Sequence, residues 1–287
     1  MRRRTLLQLP ILPALAQPRP AGFKLSVRVE PLFPNLPLPR QMEKVAEARY
    51  QGFEFGNWRA ADPNEITKLK NKLGLECACL VGNRGVSPKG MGLCAPAERE
   101  GFLTEIKASV DAARRFESVR LVTLTGARVP GASREQQHAS IVEGLKRAHD
   151  VVAPHGITLI VEVINTLAEA EPLNPQDNHA NYYLNRTSEA FDIVREVASP
   201  FVKILFDIYH VQIMEGNLID TIRKNIAHIS HFHVGDVPGR HEPGTGEIHY
   251  ANVFKAIRAA GFRDFVAMEY VPAKDAMVTL AEVRALL

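Results

Sequence analysis

Cysteine is scarce in this chain of 287 residues, which has three in all: Cys77, Cys79 and Cys94. An odd, small number with no pair at metal-ligand spacing excludes a disulfide framework and a zinc-finger type of site. Cys77 and Cys79 lie two apart in the apolar run 75–81, so on a strand they share a face and read as packing residues. A surplus of one charge is also lacking. Lys and Arg number 35 against 32 Asp and Glu, which leaves a formal net charge of +3, and the basic residues are scattered. A nucleic-acid partner would call for a basic stripe, and there is none. No segment reaches ~18 uninterrupted apolar residues, which excludes a membrane-spanning helix. Low-complexity segments and repeats are absent, and no G-x-G-x-x-G follows the first apolar run. The dinucleotide-binding fingerprint is therefore missing.

What is present begins at the N-terminus. Arg2, Arg3 and Arg4 precede an apolar stretch over residues 6–16 that ends in Ala14-Leu15-Ala16. A basic start, a short apolar stretch and a small-x-small cleavage site mark a secretory signal, and paired arginines suit the twin-arginine route. Pro10 and Pro13 interrupt the stretch, which is in any case too short to span a bilayer. Residues 1–22 are expected to be a signal peptide and linker directing export to the periplasm, and residues 23–287 one folded domain.

From residue 23 onward short apolar runs alternate with longer amphipathic ones. The short runs, at 23–29, 52–55, 75–81, 119–125, 158–163, 202–207, 228–234 and 265–269, read as strands. Most lack the polar alternation of a half-exposed sheet and suit parallel strands covered on both faces. The first, with Lys24, Ser26 and Arg28 interleaved, is the exception. Apolar residues at three- and four-residue spacing predict helices over 38–50, 63–73, 97–116, 134–153, 187–197, 218–225, 250–260 and 275–286. Gly52, Gly74, Gly156 and Gly261 fit the left-handed position that closes a helix, while Asp62-Pro63 and Thr187 fit helix starts. Eight strand-then-helix units in strict alternation predict an α/β fold, a single-domain (β/α)8 TIM barrel, because eight is the number that closes. Long loops at 82–95 and 167–186 follow the third and fifth strands and would lie over the catalytic face.

Four side chains with ligand chemistry end apolar strands: Glu162 after Leu-Ile-Val, Asp207 after Ile-Leu-Phe, His233 within Ser-His-Phe-His-Val, and Glu269 after Val-Ala-Met. A carboxylate in such a setting is costly to desolvate without a partner. Four of them on strands five to eight converge on one side of the barrel mouth, and their simplest shared partner is a cation. Three carboxylates and one imidazole suit one divalent ion, Mn²⁺ or Mg²⁺ with Co²⁺ acceptable, better than a structural zinc. His231 shares a face with His233 but lies deeper, and reads as a packing histidine or one that supports a ligand. Arg240, after strand seven, has the planar fork to pair with a substrate carboxylate, or alternatively bridges to Glu242 or Glu247. Glu54, near the end of strand two, is placed to bond a substrate hydroxyl or orient a neighbour.

The series Val161-Glu162-Val163, Phe206-Asp207-Ile208-Tyr209-His210, His233-Val234-Gly235-Asp236 and Met268-Glu269-Tyr270 resembles the xylose-isomerase-like barrel superfamily. Within it, Ala153-Pro154-His155-Gly156, Glu215-Gly216-Asn217-Leu218 and Gly239-Arg240-His241-Glu242-Pro243 followed by Gly246-Glu247-Ile248-His249-Tyr250 resemble the hydroxypyruvate isomerases. The resemblance spans roughly the whole barrel. It implies an isomerase that interconverts hydroxypyruvate and tartronate semialdehyde by moving a proton between adjacent carbons through a cis-enediolate. It also implies that Glu162 and Glu269 act jointly as acid and base while Asp207 and His233 only hold the metal. His210 resembles a substrate-contacting position of related sugar epimerases, and a supporting role fits it equally. Histidine at 233, where many hydroxypyruvate isomerases carry glutamine, is the choice of the ketose 3-epimerases, which form the alternative reading.

A metal-dependent phosphodiesterase would need more ligands and a basic groove, neither of which is evident. A sugar-binding module without turnover is the non-enzymatic alternative. The partner is thus a small hydroxy-carbonyl or sugar, with no nucleic acid and no membrane span, and a homo-oligomer is compatible with the composition. Residues 1–22 fused to a reporter that works only after export are expected to carry it out of a bacterial cytoplasm. Replacing Arg2 and Arg3 by Lys should cut that export sharply, and a reporter retained inside with either version would sink the signal assignment.

Overall fold

The computed structural model describes residues 22–85, 92–167, 173 and 179–287. The expected signal segment lies outside the described residues, as do the middle of the 82–95 loop and much of the 167–186 loop. The chain runs β1 (Lys24–Arg28), α1 (Val29–Leu32), α2 (Leu38–Glu47), β2 (Gly52–Phe55), α3 (Pro63–Leu73), β3 (Glu76–Val81), α4 (Arg99–Phe116), β4 (Arg120–Thr123) and α5 (Arg134–Val152). It continues with β5 (Thr158–Glu162), α6 (Thr187–Val197), β6 (Val202–Asp207), α7 (Ile208–Met214), α8 (Leu218–Asn225), β7 (Ile229–Val234), α9 (Tyr250–Ala259), β8 (Phe265–Met268) and α10 (Ala276–Ala285). Each strand pairs in parallel with the next, and β8 pairs with β1 through Val27 opposite Met268, which closes a (β/α)8 barrel. Among the described residues no helix is long and apolar enough to cross a membrane.

Local signals set most boundaries. The Asp62 carboxylate accepts a hydrogen bond from Asn64 N at the start of α3, Pro63 takes the first helical position, and Gly74 closes the helix at φ 67°. Ser133 and Gln136 form a reciprocal capping box on α5. One expectation fails: Gly52 does not close α2. The left-handed residue there is Arg49, at φ 61°, so the helix ends earlier than its apolar spacing predicts. Gly52 instead opens β2, where a Cβ would sit 2.6 Å from the ring of Phe265 and 3.2 Å from the carbonyl oxygen of Glu76. Two short helices also went unforeseen, α1 and α7, of 4 and 7 residues. Both are too short to show a helical period, and each follows directly on a strand that ends in a charged side chain.

Leu25, Val27, Phe53 and Val266 belong to the apolar core. The barrel interior is polar along one line. Ser26 Oγ donates to Glu54 Oε1 at 2.8 Å, and His231, Cys79 and His233 meet the same carboxylate, all fully or almost fully buried. The polar alternation of β1 is therefore inward-facing: Lys24 lies over the Phe265 ring, Ser26 meets Glu54, and Arg28 stands at the mouth. Gly52→Ala is expected to lower stability by about 1–3 kcal/mol, because the added methyl overpacks a rigid contact. The check is the midpoint of urea unfolding, and an unchanged midpoint would show that the Phe265 ring has room to move.

Candidate active site

The four predicted ligands come together. Glu162 and Asp207 are the last residues of β5 and β6, His233 is next to last in β7, and Glu269 directly follows β8. One ligand atom from each lies within 4.8 Å of all the others. His233 Nδ1 stands 2.7 Å from Glu269 Oε2, 3.7 Å from Glu162 Oε1 and 3.9 Å from Asp207 Oδ2. The parallel register produces this convergence, since Asp207 lies opposite His233 and all four residues stand at the C-terminal ends of neighbouring strands.

Glu54 fixes the orientation of His233. Its carboxylate receives His231 Nε2 at 2.8 Å, His233 Nε2 at 3.1 Å, Ser26 Oγ at 2.8 Å and Cys79 Sγ at 3.1 Å. Burial opposes ionisation here, but His231 and His233 outweigh it and hold the Glu54 carboxyl well below the usual carboxylate range. An ionised carboxylate only accepts, so His233 must donate through Nε2, and Nδ1 gains a lone pair to offer upward once the ring gives up its second proton. Nδ1 of His233 is buried and has no hydrogen-bond partner. An orphaned imidazole nitrogen facing three carboxylates is the environment a divalent cation would satisfy, and the residues therefore fit one. Glu54 thus sits beneath the cluster, fully buried and with its oxygens engaged, as the neighbour that orients a ligand. His231 takes the deeper supporting place beside it, and burial lowers its pKa despite the adjacent Glu54.

Electrostatics within the cluster are uneven. Burial raises Glu162 against the pull of His233, and burial raises Asp207 against that of Arg240. Glu269 moves the other way: burial would raise it, but His233 and Arg240 bring it far below its ordinary value. His233 is pushed well above its own range, because Glu269 and neighbouring hydrogen bonds overcome its burial.

Arg240 enters from the loop after β7. The Asp236 carboxylate ties this loop together, accepting from Val237 N, Gly244 N, Gly246 N and Ile248 N. A Cβ on Gly246 would collide with the carbonyl of Val237, which explains the glycine. Arg240, at φ 54°, sends Nη2 to Asp207 Oδ2 at 2.6 Å and to Glu269 Oε2 at 2.5 Å, while Nη1 meets His210 Nε2 at 3.1 Å. Among the described residues its ion-pair partners are therefore these distant acids and neither Glu242 nor Glu247. The Glu242 carboxylate accepts from Ala273 N instead, and that of Glu247 from Gln212. His210 is held from the other side by Asn165, at 2.7 Å from its Nδ1. A cavity of about 590 Å³ opens above, lined among others by Glu162, Glu269, His210 and Arg240. Arg28 and His179 line it too and had not been singled out. The signal for Arg28 was there, in the polar alternation of the first strand. For His179 the signal was only its place in the 167–186 loop, expected over the catalytic face.

Residues 42–285 match the family described as the xylose isomerase-like TIM barrel, and the chain belongs to that family. It is 31% identical over 253 residues to the hydroxypyruvate isomerase of Escherichia coli strain K12, covering 87% of this chain and 94% of that protein. With the 2-oxo-tetronate isomerase of Cupriavidus necator it shares 31% over 236 residues, 80% of this chain and 87% of the other. A solved structure described as an AP endonuclease of family 2 from Brucella melitensis superposes with a TM-score of 0.82 at 26% identity, covering 92% and 99% of the two chains. Within its family the chain is an isomerase, of the hydroxypyruvate isomerase-like type.

Metal and proton compete for His233 Nδ1, so a raised His233 pKa means that metal affinity climbs as pH rises and the proton leaves. Titration of the metal-free protein with MnCl₂ is expected to raise its thermal midpoint, by about 2.7 kcal/mol of stability at a hundred times the Kd. Glu54→Gln should weaken that binding about 10- to 100-fold. Equal affinity in the variant would show that Glu54 does not orient the ligand.

Proposed function

We propose that the protein interconverts hydroxypyruvate and tartronate semialdehyde, or a closely similar hydroxy-carbonyl acid, with one divalent ion bound by Glu162, Asp207, His233 and Glu269. The observation that carries this reading is a division within the cluster. Glu162 and Glu269 line the cavity, whereas Asp207 and His233 lie behind them, sealed from it. Two carboxylates facing one substrate space can serve as base and acid for a proton shift between adjacent carbons. One would take a proton from C3 of hydroxypyruvate, leaving a cis-enediolate across C2 and C3. A proton returned to C2, with the hydroxyl proton passing from O3 to O2, then gives tartronate semialdehyde, so the atoms balance and no redox partner is needed.

A bound divalent ion, Mn²⁺ or Mg²⁺ by the oxygen-rich donor set, would supply Lewis-acid polarisation and charge compensation for the enediolate. The remaining residues prepare the site. Glu54 fixes the plane of the His233 ring, and Arg240 keeps Glu269 ionised while tying it to Asp207. Asn165 and Arg240 together fix His210 at the wall with both ring nitrogens engaged, which suits a supporting place in the site. The arginine-led N-terminal pattern supports export, so the substrate would be met outside the cytoplasm.

Wild-type enzyme with Mn²⁺ is expected to form tartronate semialdehyde from hydroxypyruvate and, in D₂O, to exchange deuterium into the reacting carbons. Glu269→Gln should lower both by about 10²- to 10⁴-fold, the usual contribution of a general acid–base. Epimerised ketohexose in place of tartronate semialdehyde would transfer the assignment to a ketose 3-epimerase. Binding without any exchange would make the protein a binding module.

A further inference from the structure

Proton transfer between carbons does not by itself select an acid over a neutral ketose. Selection needs a cation that is fixed in place, faces the cavity and has donors to spare. Arg240 is fixed, but it is only 2% exposed, and its Nη2, Nη1 and Nε are committed to Asp207 and Glu269, to His210 and to the Glu269 carbonyl. Arg28 differs. It ends β1 one step above the Val27–Met268 pair, which places it beside Glu269 at the barrel mouth, and it lines the same cavity as Glu162 and Glu269.

The guanidinium of Arg28 is held from one side only. Nε donates to Glu30 Oε2 at 2.8 Å, and the other Glu30 oxygen accepts from Gly56 N, so the acid that anchors the arginine is itself anchored. A Cβ on Gly56 would collide with Nη2, so glycine there leaves the space the guanidinium fills. Among the described residues neither terminal nitrogen donates a hydrogen bond, and neither is sealed off as a buried orphan. The side chain is 19% exposed, which is enough to be reached and too little to move freely. With Nε taken, the edge that remains is the parallel Nη1/Nη2 pair. That pair matches the two oxygens of a carboxylate.

We propose that Arg28 reads the substrate's carboxylate and so restricts the site to 2-oxo-3-hydroxy acids, with Glu30 and Gly56 as its positioning residues. The inference rests on the isomerase reading above and adds to it the group that recognises the acid. Pre-orientation by Glu30 means that little side-chain entropy is lost on binding. Arg240 then remains with Asp207 and Glu269, and need not leave them to meet the substrate.

Hydroxypyruvate and 1,3-dihydroxyacetone, its neutral counterpart with a hydroxymethyl group in place of the carboxylate, separate charge recognition from everything else. The Mn²⁺-loaded enzyme would be assayed with hydroxypyruvate as substrate and dihydroxyacetone as competitive inhibitor, in wild type, Arg28→Gln and Arg28→Lys. Arg28→Gln is expected to raise KM for hydroxypyruvate about 10- to 100-fold, far more than it lowers kcat, as for loss of a charge-assisted pair. The inhibition constant of dihydroxyacetone should stay within about twofold. Arg28→Lys keeps the charge and should recover part of the loss, which a folding defect would not allow. An unchanged KM, or equal weakening of both ligands, would overturn the role of Arg28 while leaving the isomerase intact. A wild type that does not isomerise hydroxypyruvate would remove both.

Discussion

His233 is gripped from below and left open from above, and the rest of the site depends on that asymmetry. Below, Glu54 takes Nε2. Above, Nδ1 meets three carboxylates and has no hydrogen bond. Burying an ion in a protein interior costs several kcal/mol, and this barrel buries Glu54, Glu162, Asp207 and Glu269 within two adjoining groups. Such a concentration of negative charge is tolerable only if each acid is compensated. The lower acid is compensated by two histidines. The upper three have Arg240 and the imidazole in part, and a divalent cation would supply the remainder.

Two arginines at one mouth divide the positive charge by function. Arg240 reaches inward, pairs with Asp207 and Glu269 and stacks over Tyr209 at 4.9 Å. Its position is set by a tightly wound loop whose backbone amides are collected by Asp236. Arg28 is braced from the side by Glu30 and keeps its terminal edge toward the cavity. The first holds Asp207 and Glu269 in place, and the second, among the described residues, keeps its terminal nitrogens unbonded. Each arginine lies beside acids that offset the cost of burying its charge.

Much of this was legible in the residues. Glu162, Asp207 and Glu269 each end an apolar run, and a charge there has no explanation in packing, so the convergence of these acids with His233 could be read without coordinates. His231 and His233 sit two apart on one strand, which fixed their common face and relative depth. Gly52 misled because glycine after a helical run has two physical causes, a left-handed cap or a close approach, and only packing against Phe265 distinguishes them. Arg240 invited pairing with its sequence neighbours Glu242 and Glu247. Its acids lie 33 and 29 residues away instead, brought near by barrel closure. The polar alternation of β1 resembled a half-exposed strand, because nothing local says that the inside of a closed barrel is the polar side.

The sequence by itself determined the number and order of the strand-helix units, the parallel barrel and the four side chains that meet at its mouth. Those features follow from periodicity and from the cost of stranding a charge at the end of an apolar strand, both of which act over a few neighbouring residues. Only the tertiary structure decided which oxygens Arg240 occupies, that Glu54 sits under His233, and that Arg28 keeps its terminal nitrogens unbonded among the described residues. Those depend on distances between residues far apart in the chain, set by the register with which eight strands close on themselves.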